Sequence, residues 1–178
     1  MAERYLVFLS HASSNSFEAR QIASDIEKQG ASVFLDVVSI PKGAVIETKI
    51  LTNLRACQEF WVLVTPTTQV LGPGGKPVRS IPGSLGRPWV WIEIGIAWAW
   101  QREKKARIVL LKGLTSRKFQ CDADMPVFLK AVNLVDIDDH QAYRTLLKEL
   151  RGRVRSPRNA RSHRSRRRAI VGISVPPR

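Results

Sequence analysis

Apolar and polar positions along the chain alternate between two periods. Tyr5-Leu6-Val7-Phe8-Leu9 is a short unbroken apolar run of the kind that parallel sheets bury on both faces. The polar stretch SHASSNS follows at once, and Asn15 with Glu18 three residues on predicts a capping box that opens a helix. That helix carries Ala19, Ile22, Ala23 and Ile26 on one face and stops at Gly30. Ser32 to Leu35 reads as a second strand ending at Asp36. After the loop DVVSIPKG, a helix is predicted over about 44–57, with Val45, Ile46, Ile50, Leu51 and Leu54 inward. Phe60 to Val64 is a third strand. A long stretch dense in Gly and Pro, TPTTQVLGPGGKPVRSIPGSLGRP, predicts a loop, either functional or mobile. Trp89 to about Arg102 reads as a helix with Pro88 at its start. Strands follow over Ile108 to Leu111 and Ala131 to Val135. A last helix, about Asp139 to Leu150, has Tyr143, Leu146, Leu147 and Leu150 as its apolar stripe.

Strands and helices alternating at this spacing predict an α/β fold with a parallel sheet covered on both faces. In open sheets of this class, ligands bind outside the carboxyl ends of the strands. Three segments converge there: Ser10 to Ser14, Asp36 to Gly43, and Thr65 to Glu93.

The third of these contains RPWVWIEIGIAWAW, in which one carboxylate, Glu93, stands among four tryptophans and several branched apolar residues. An unpartnered carboxylate costs several kcal/mol to bury, so Glu93 is at a surface, paired, or kept for chemistry. Trp89 lies four residues earlier, on the same helical face.

Composition narrows the setting. The chain of 178 residues fits one domain with an appendage. Its net charge of +14 is uneven: Arg151 to Arg178 holds ten arginines and no acid, whereas residues 1–150 hold 19 Lys/Arg against 15 Asp/Glu. Residues 1–150 are therefore expected to be the folded domain and 151–178 a basic, disordered tail able to grip nucleic acid or another acidic partner. Cys57 and Cys121 give neither a disulfide framework nor metal-ligand spacing. The start of the chain lacks a secretory pattern, and the longest apolar run is broken by Glu93 and falls short of the ~18 residues a spanning helix needs. No membrane association, no metal and a cytoplasmic setting are expected. Walker-type and G-x-G-x-x-G loops are absent from the sequence.

The ordered set VFLSHASSNSFEARQIASDIEKQGASVFLD, SIPKGAVIETKILTNLRACQEFWVLVTP and RPWVWIEIGIAWA resembles a bacterial TIR (Toll/interleukin-1 receptor) domain over about residues 4–150. The shared features are a strand ending in FxS, a G-x-x-VFLD strand, the IPKG loop, a strand ending in threonine where the family often has serine, and W-x-x-x-E. The resemblance implies a flavodoxin-like, three-layer fold with a five-stranded parallel sheet. It also implies one of two roles: a non-enzymatic interaction module, or an NAD+ glycohydrolase or ADP-ribosyl cyclase in bacterial anti-phage immune signalling. In the enzymatic members NAD+ is a substrate and no cofactor is required. Activity there is switched on by head-to-tail self-association with other TIR domains.

Carried over residue by residue, the resemblance makes Glu93 the catalytic residue, with Trp89 as an aromatic wall. Ser10, His11, Ala12 and Ser13 become a backbone that faces phosphate and ribose. Asp36, Lys42 and Gly43 become a substrate-contacting loop between the second strand and the second helix. Val45 departs from the family, several enzymatic members having an aromatic near that point. Arg87-Pro88 before Trp89 and the long loop from Leu71 to Gly86 are further departures.

Overall fold

The computed structural model describes residues 5–35, 46–65, 68–71, 73–81, 88–104, 107–112 and 134–156. In chain order the elements are β1 (Leu6–Ser10), α1 (Ser16–Lys28), β2 (Ser32–Leu35), α2 (Ile46–Ala56), β3 (Glu59–Val64), β4 (Thr68–Leu71), β5 (Pro77–Ile81), α3 (Pro88–Lys104), β6 (Arg107–Lys112), β7 (Leu134–Asp136) and α4 (His140–Arg155). Five strands form one all-parallel sheet in the order β2-β1-β3-β6-β7. With the β4–β5 hairpin set aside, this is the flavodoxin-like order 2-1-3-4-5, whose switch point lies between β1 and β3. The expected fold class is the observed one.

Period-two alternation divides the sheet's side chains into two cores. Val7, Leu9, Trp61, Leu63, Val109 and Leu111 are buried against α1 and α4. Phe8, Phe60, Val62, Val64, Ile108 and Leu110 are buried against α2 and α3. Because both faces are covered, the strands need no polar face, hence their continuous apolar runs. Each large side chain so buried contributes about 1.5–3 kcal/mol relative to exposure. Phe8 packs between Phe34 and Phe60, with ring centroids 5.0 and 5.5 Å away. The inward face of α1 is the predicted Ala19, Ile22, Ala23 and Ile26. Its end is set by Gly30, whose φ of 92° is open to glycine and strained for other residues.

Three expectations need correction. The Gly/Pro-dense stretch is not a plain loop: Thr68–Leu71 and Pro77–Ile81 pair as an antiparallel hairpin. Its tip turns at Gly74 and Gly75, with φ of 80° and 73°. Pro77 is tolerated as the first residue of its strand. The fifth strand of the sheet, Leu134–Asp136, ends one residue past the expected Val135, with 131–133 outside the described residues. The last helix does not end at Leu150 but continues to Arg155, because Val154 prolongs the apolar stripe and Arg153 finds an acid on the sheet. Of residues 151–178, expected to be a disordered tail, 151–155 belong to this helix, and 157–178 lie outside the described residues.

That acid is Glu59, the first residue of β3, which is fully buried. It accepts from Tyr5 Oη at 2.7 Å, Trp61 Nε1 at 2.9 Å, Arg153 Nε at 2.6 Å and Arg153 Nη2 at 3.3 Å. A buried carboxylate is tolerable when its lone pairs are filled in this way. The cluster pins the end of α4 to the amino edge of the sheet.

Candidate functional site

At the opposite, carboxyl edge, β1 ends in Ser10, which lies in register with Val62 of β3. Register partners share a face, so Ser10 points to the α2–α3 side, where Val62 is buried. Its Oγ is buried and has no hydrogen-bond partner among the described residues. His11 is buried as well, with Nε2 3.4 Å from Ser16 Oγ in the first turn of α1. Ser16 Oγ in turn donates to the Ser13 carbonyl at 2.8 Å. Ala12 is buried and its carbonyl accepts from Asn15 N–H at 2.8 Å, whereas Ser13 and Ser14 are exposed. Only the far side of this loop meets solvent.

The expected capping box does not form. Asn15 occupies the N-cap position of α1, but its side chain caps nothing. Its Oδ1 accepts from Thr65 Oγ1 at 2.9 Å and from Ser14 Oγ at 3.3 Å. Thr65 is the buried residue just past β3, so this bond spans the β1–β3 switch point. The asparagine exchanges a local cap for a link of fifty residues in sequence. It also leaves the positively polarised amino end of α1 without a side-chain acceptor from its N-cap.

Glu93 is 1% exposed. Among the described side chains of α3 the buried ones are Val90, Glu93, Ile94 and Ala97, at spacings of three, four and seven, which is one inward stripe. The carboxylate therefore occupies a core position of its helix, and the solvent-surface alternative is excluded. Outward, Ile92 and Trp98 are exposed. Trp91 and Trp100 pack partly buried against the same core, and Arg55 of α2 lies over the Trp100 ring at 5.5 Å. The helix connects the carboxyl side of β3 with the amino end of β6, so its first turns lie at the carboxyl edge. Glu93 and Ser10 accordingly share one side of the sheet and one edge. Trp89 lies one helical turn before Glu93, and its side chain is outside the description. Asp36, Lys42 and Gly43 fall outside the described residues altogether.

The roles of Asn15 at this edge and of Glu59 at the opposite one are not legible in the sequence. Asn15 read as a helix cap, and nothing local distinguishes a cap from a bridge to a residue fifty positions away. Glu59 falls just before the predicted third strand, Phe60 to Val64. The signal available was Trp61 in a fully apolar run, since a buried indole N–H needs an acceptor.

A separate groove of about 420 Å³ lies between α1 and α4, lined by Phe17, Ile22, Ile137, Tyr143 and Leu147 with polar groups at its rim. None of the predicted site residues borders it. Among the described residues no group of three His, Cys, Asp or Glu could hold a metal ion. No described helix is long and apolar enough to cross a membrane.

Comparison with known proteins agrees with the fold. The family model described as TIR domain matches residues 7–150. No curated protein matches the chain. The fold is similar to the TIR domain of the Toll-related receptor TRR-2 from the lower metazoan Hydra magnipapillata. That likeness has a TM-score of 0.56 and 13% identity, covering 82% of this chain and 97% of that one. It is also similar to the TIR domains of the activated Roq1 resistosome that directly recognises the pathogen effector XopQ. There the TM-score is 0.50 and the identity 14%, with 84% of this chain and 82% of that one covered. At these identities the likeness is one of fold.

Proposed function

The chain belongs to the TIR-domain family, and from that footing we propose that it cleaves the N-glycosidic bond of NAD+, releasing nicotinamide and forming ADP-ribose or a cyclic ADP-ribose. The observation that carries this reading is the burial of Glu93 in the inward stripe of α3, beside the carboxyl edge where Ser10 ends β1. As the bond breaks, its electron pair leaves with nicotinamide, which departs neutral and needs no general acid. Positive charge grows on the ribose, and one carboxylate held in a low-dielectric wall stabilises it more than it stabilises the ground state. The paired carboxylates of ordinary glycosidases are then unnecessary. Water attacking the ribosyl cation gives ADP-ribose; the adenine of the same molecule gives the cyclic product.

In this reading Trp89 screens Glu93 from water and stacks on a flat ring. Ser10, His11, Ala12 and Ser13 shape the ribose and phosphate side. Asp36, Lys42 and Gly43 supply the loop across the mouth. NAD+ is the substrate and no cofactor takes part. Head-to-tail self-association with other TIR domains completes the site in a bacterial anti-phage response. The folded unit, which runs through the end of α4, carries the chemistry, and the basic segment after it does not.

The test is NAD+ consumption by concentrated protein beside Glu93→Gln, with products separated by chromatography. Turnover that falls by at least about a hundredfold in the variant, a typical cost of losing a transition-state contact, supports the reading. Absence of turnover even with a crowding agent that forces assembly overturns it in favour of an interaction module.

A further inference from the structure

Along α4, Arg144, Lys148, Arg151 and Arg155 follow one another at spacings of four, three and four, and all four are solvent-exposed. At 100° per residue they fall on one narrow stripe, roughly 16 Å long. It is distinct from the stripe of Leu146, Leu150 and Val154 that faces the core. None of the four makes an ion pair among the described residues. The acid within α4, Glu149, lies elsewhere on the helix and is taken by Arg107 at 3.2 Å and Arg153 at 3.3 Å. Like charges three and four apart on a helix repel, so the stripe costs the fold and repays nothing within it. Past Ser156 the sequence adds seven more arginines and no acid.

We propose that this exposed stripe of α4 is an ordered phosphate-binding surface for double-stranded nucleic acid. The partner class follows from what the stripe has and lacks. One cation every ~5.5 Å meets a duplex carrying one negative charge per ~1.7 Å of axis, so each side chain finds a phosphate without sequence reading. An anionic membrane is a poorer fit, because Leu146, Leu150 and Val154 are turned to the core and the stripe itself carries no apolar side chain to insert among lipid chains. Single strands call for aromatic side chains to stack on, and the stripe and the arginines after it include none. A protein partner calls for a central apolar or aromatic anchor, which the stripe also lacks.

The experiment is fluorescence anisotropy of a labelled 30-base-pair duplex titrated with the full chain at several salt concentrations. Arg144, Lys148 and Arg151 changed together to Gln are compared with a charge-matched control in which exposed Arg20, Lys49 and Lys76 are changed to Gln. Glutamine keeps helix propensity, and circular dichroism checks the fold. The stripe variant is expected to lose at least tenfold in affinity at 0.1 M salt, with the log–log salt slope shallower by about two to three; the control stays near wild type. The single variant Arg151→Gln lowers the slope by about one, which keeps the test decisive should the triple variant be misfolded. Four results overturn the proposal: no duplex binding by wild type, equal losses in stripe and control variants, an unchanged slope in the stripe variants, or tighter binding to vesicles containing phosphatidylserine than to the duplex. None of these readings depends on NAD+ turnover.

Discussion

Arg153 Nε donates to Glu59 Oε1 at 2.6 Å, joining the last turn of α4 to the first residue of β3. Glu59 is fully buried, so its carboxylate has no solvent to fall back on, whereas the Arg153 side chain is 28% exposed. Removing one partner of such a pair strands the other, which costs about 3–5 kcal/mol. Arg153→Ala falls toward the lower end, since Tyr5 and Trp61 still donate to the carboxylate. Urea unfolding should show a loss of about 3 kcal/mol. A loss under 1 kcal/mol would mean that the pair does not anchor α4.

The chain has two tyrosines, and both are held neutral. Burial, then the neighbouring Glu59 charge, pushes the Tyr5 hydroxyl well above its ordinary value near 10. Burial, then Asp25, does the same to Tyr143. A raised folded value means that stability is complete below the unfolded pKa and is lost as pH rises above about 10. Tyrosinate absorbance at 295 nm is therefore expected to appear together with unfolding, above pH 10. A smooth titration near pH 10 in the folded protein would contradict it.

The Thr65–Asn15 bond holds the β1–α1 loop against the end of β3. Thr65→Val keeps the shape and removes the donor, at an expected cost of about 1 kcal/mol in thermal unfolding. Thr65→Ser restores the hydroxyl and most of that loss. If Ser and Val behave alike, the hydrogen bond contributes nothing and packing explains the residue.

Gly30 ends α1 with its N–H donated to the Glu27 carbonyl at 2.8 Å. A Cβ there would meet Val154 Cγ1 at 3.6 Å, an ordinary contact. The penalty for Gly30→Ala is thus the backbone's alone, about 1 kcal/mol, and Gly30→Asn should cost less. Chemical unfolding of both variants checks the order, and an alanine variant as stable as wild type would refute it.

Legibility in the sequence followed the physics of each signal. Runs such as Phe60 to Val64 are buried on both faces, so their strand character needs no partner to be recognised. The inward face of α1 was equally plain from its 3.6-residue period. The β4–β5 hairpin was not, because its glycines and prolines sit at the turn and at a strand start as well as in loops. The end of α4 is hidden because every arginine reads alike as charge, while Arg153 serves the core and Arg151 the surface. Glu93 was legible as an anomaly, and only its helical neighbours Val90, Ile94 and Ala97 fix it in the core. Asn15 and Glu59 depend on contacts with residues at least fifty positions away, which no local period encodes.

The course of α4 has a consequence for access. It begins beyond the carboxyl end of β7 and, after 16 residues and about 24 Å, stops where Arg153 reaches the amino end of β3. The chain's most basic stretch is thereby launched from the pole farthest from Ser10 and Glu93. A partner held along α4 lies on the face of the sheet opposite Ser10 and Glu93, which leaves that side free for traffic. Neighbours strung along a common polymer would stand with their mouths outward, crowded together yet unobstructed.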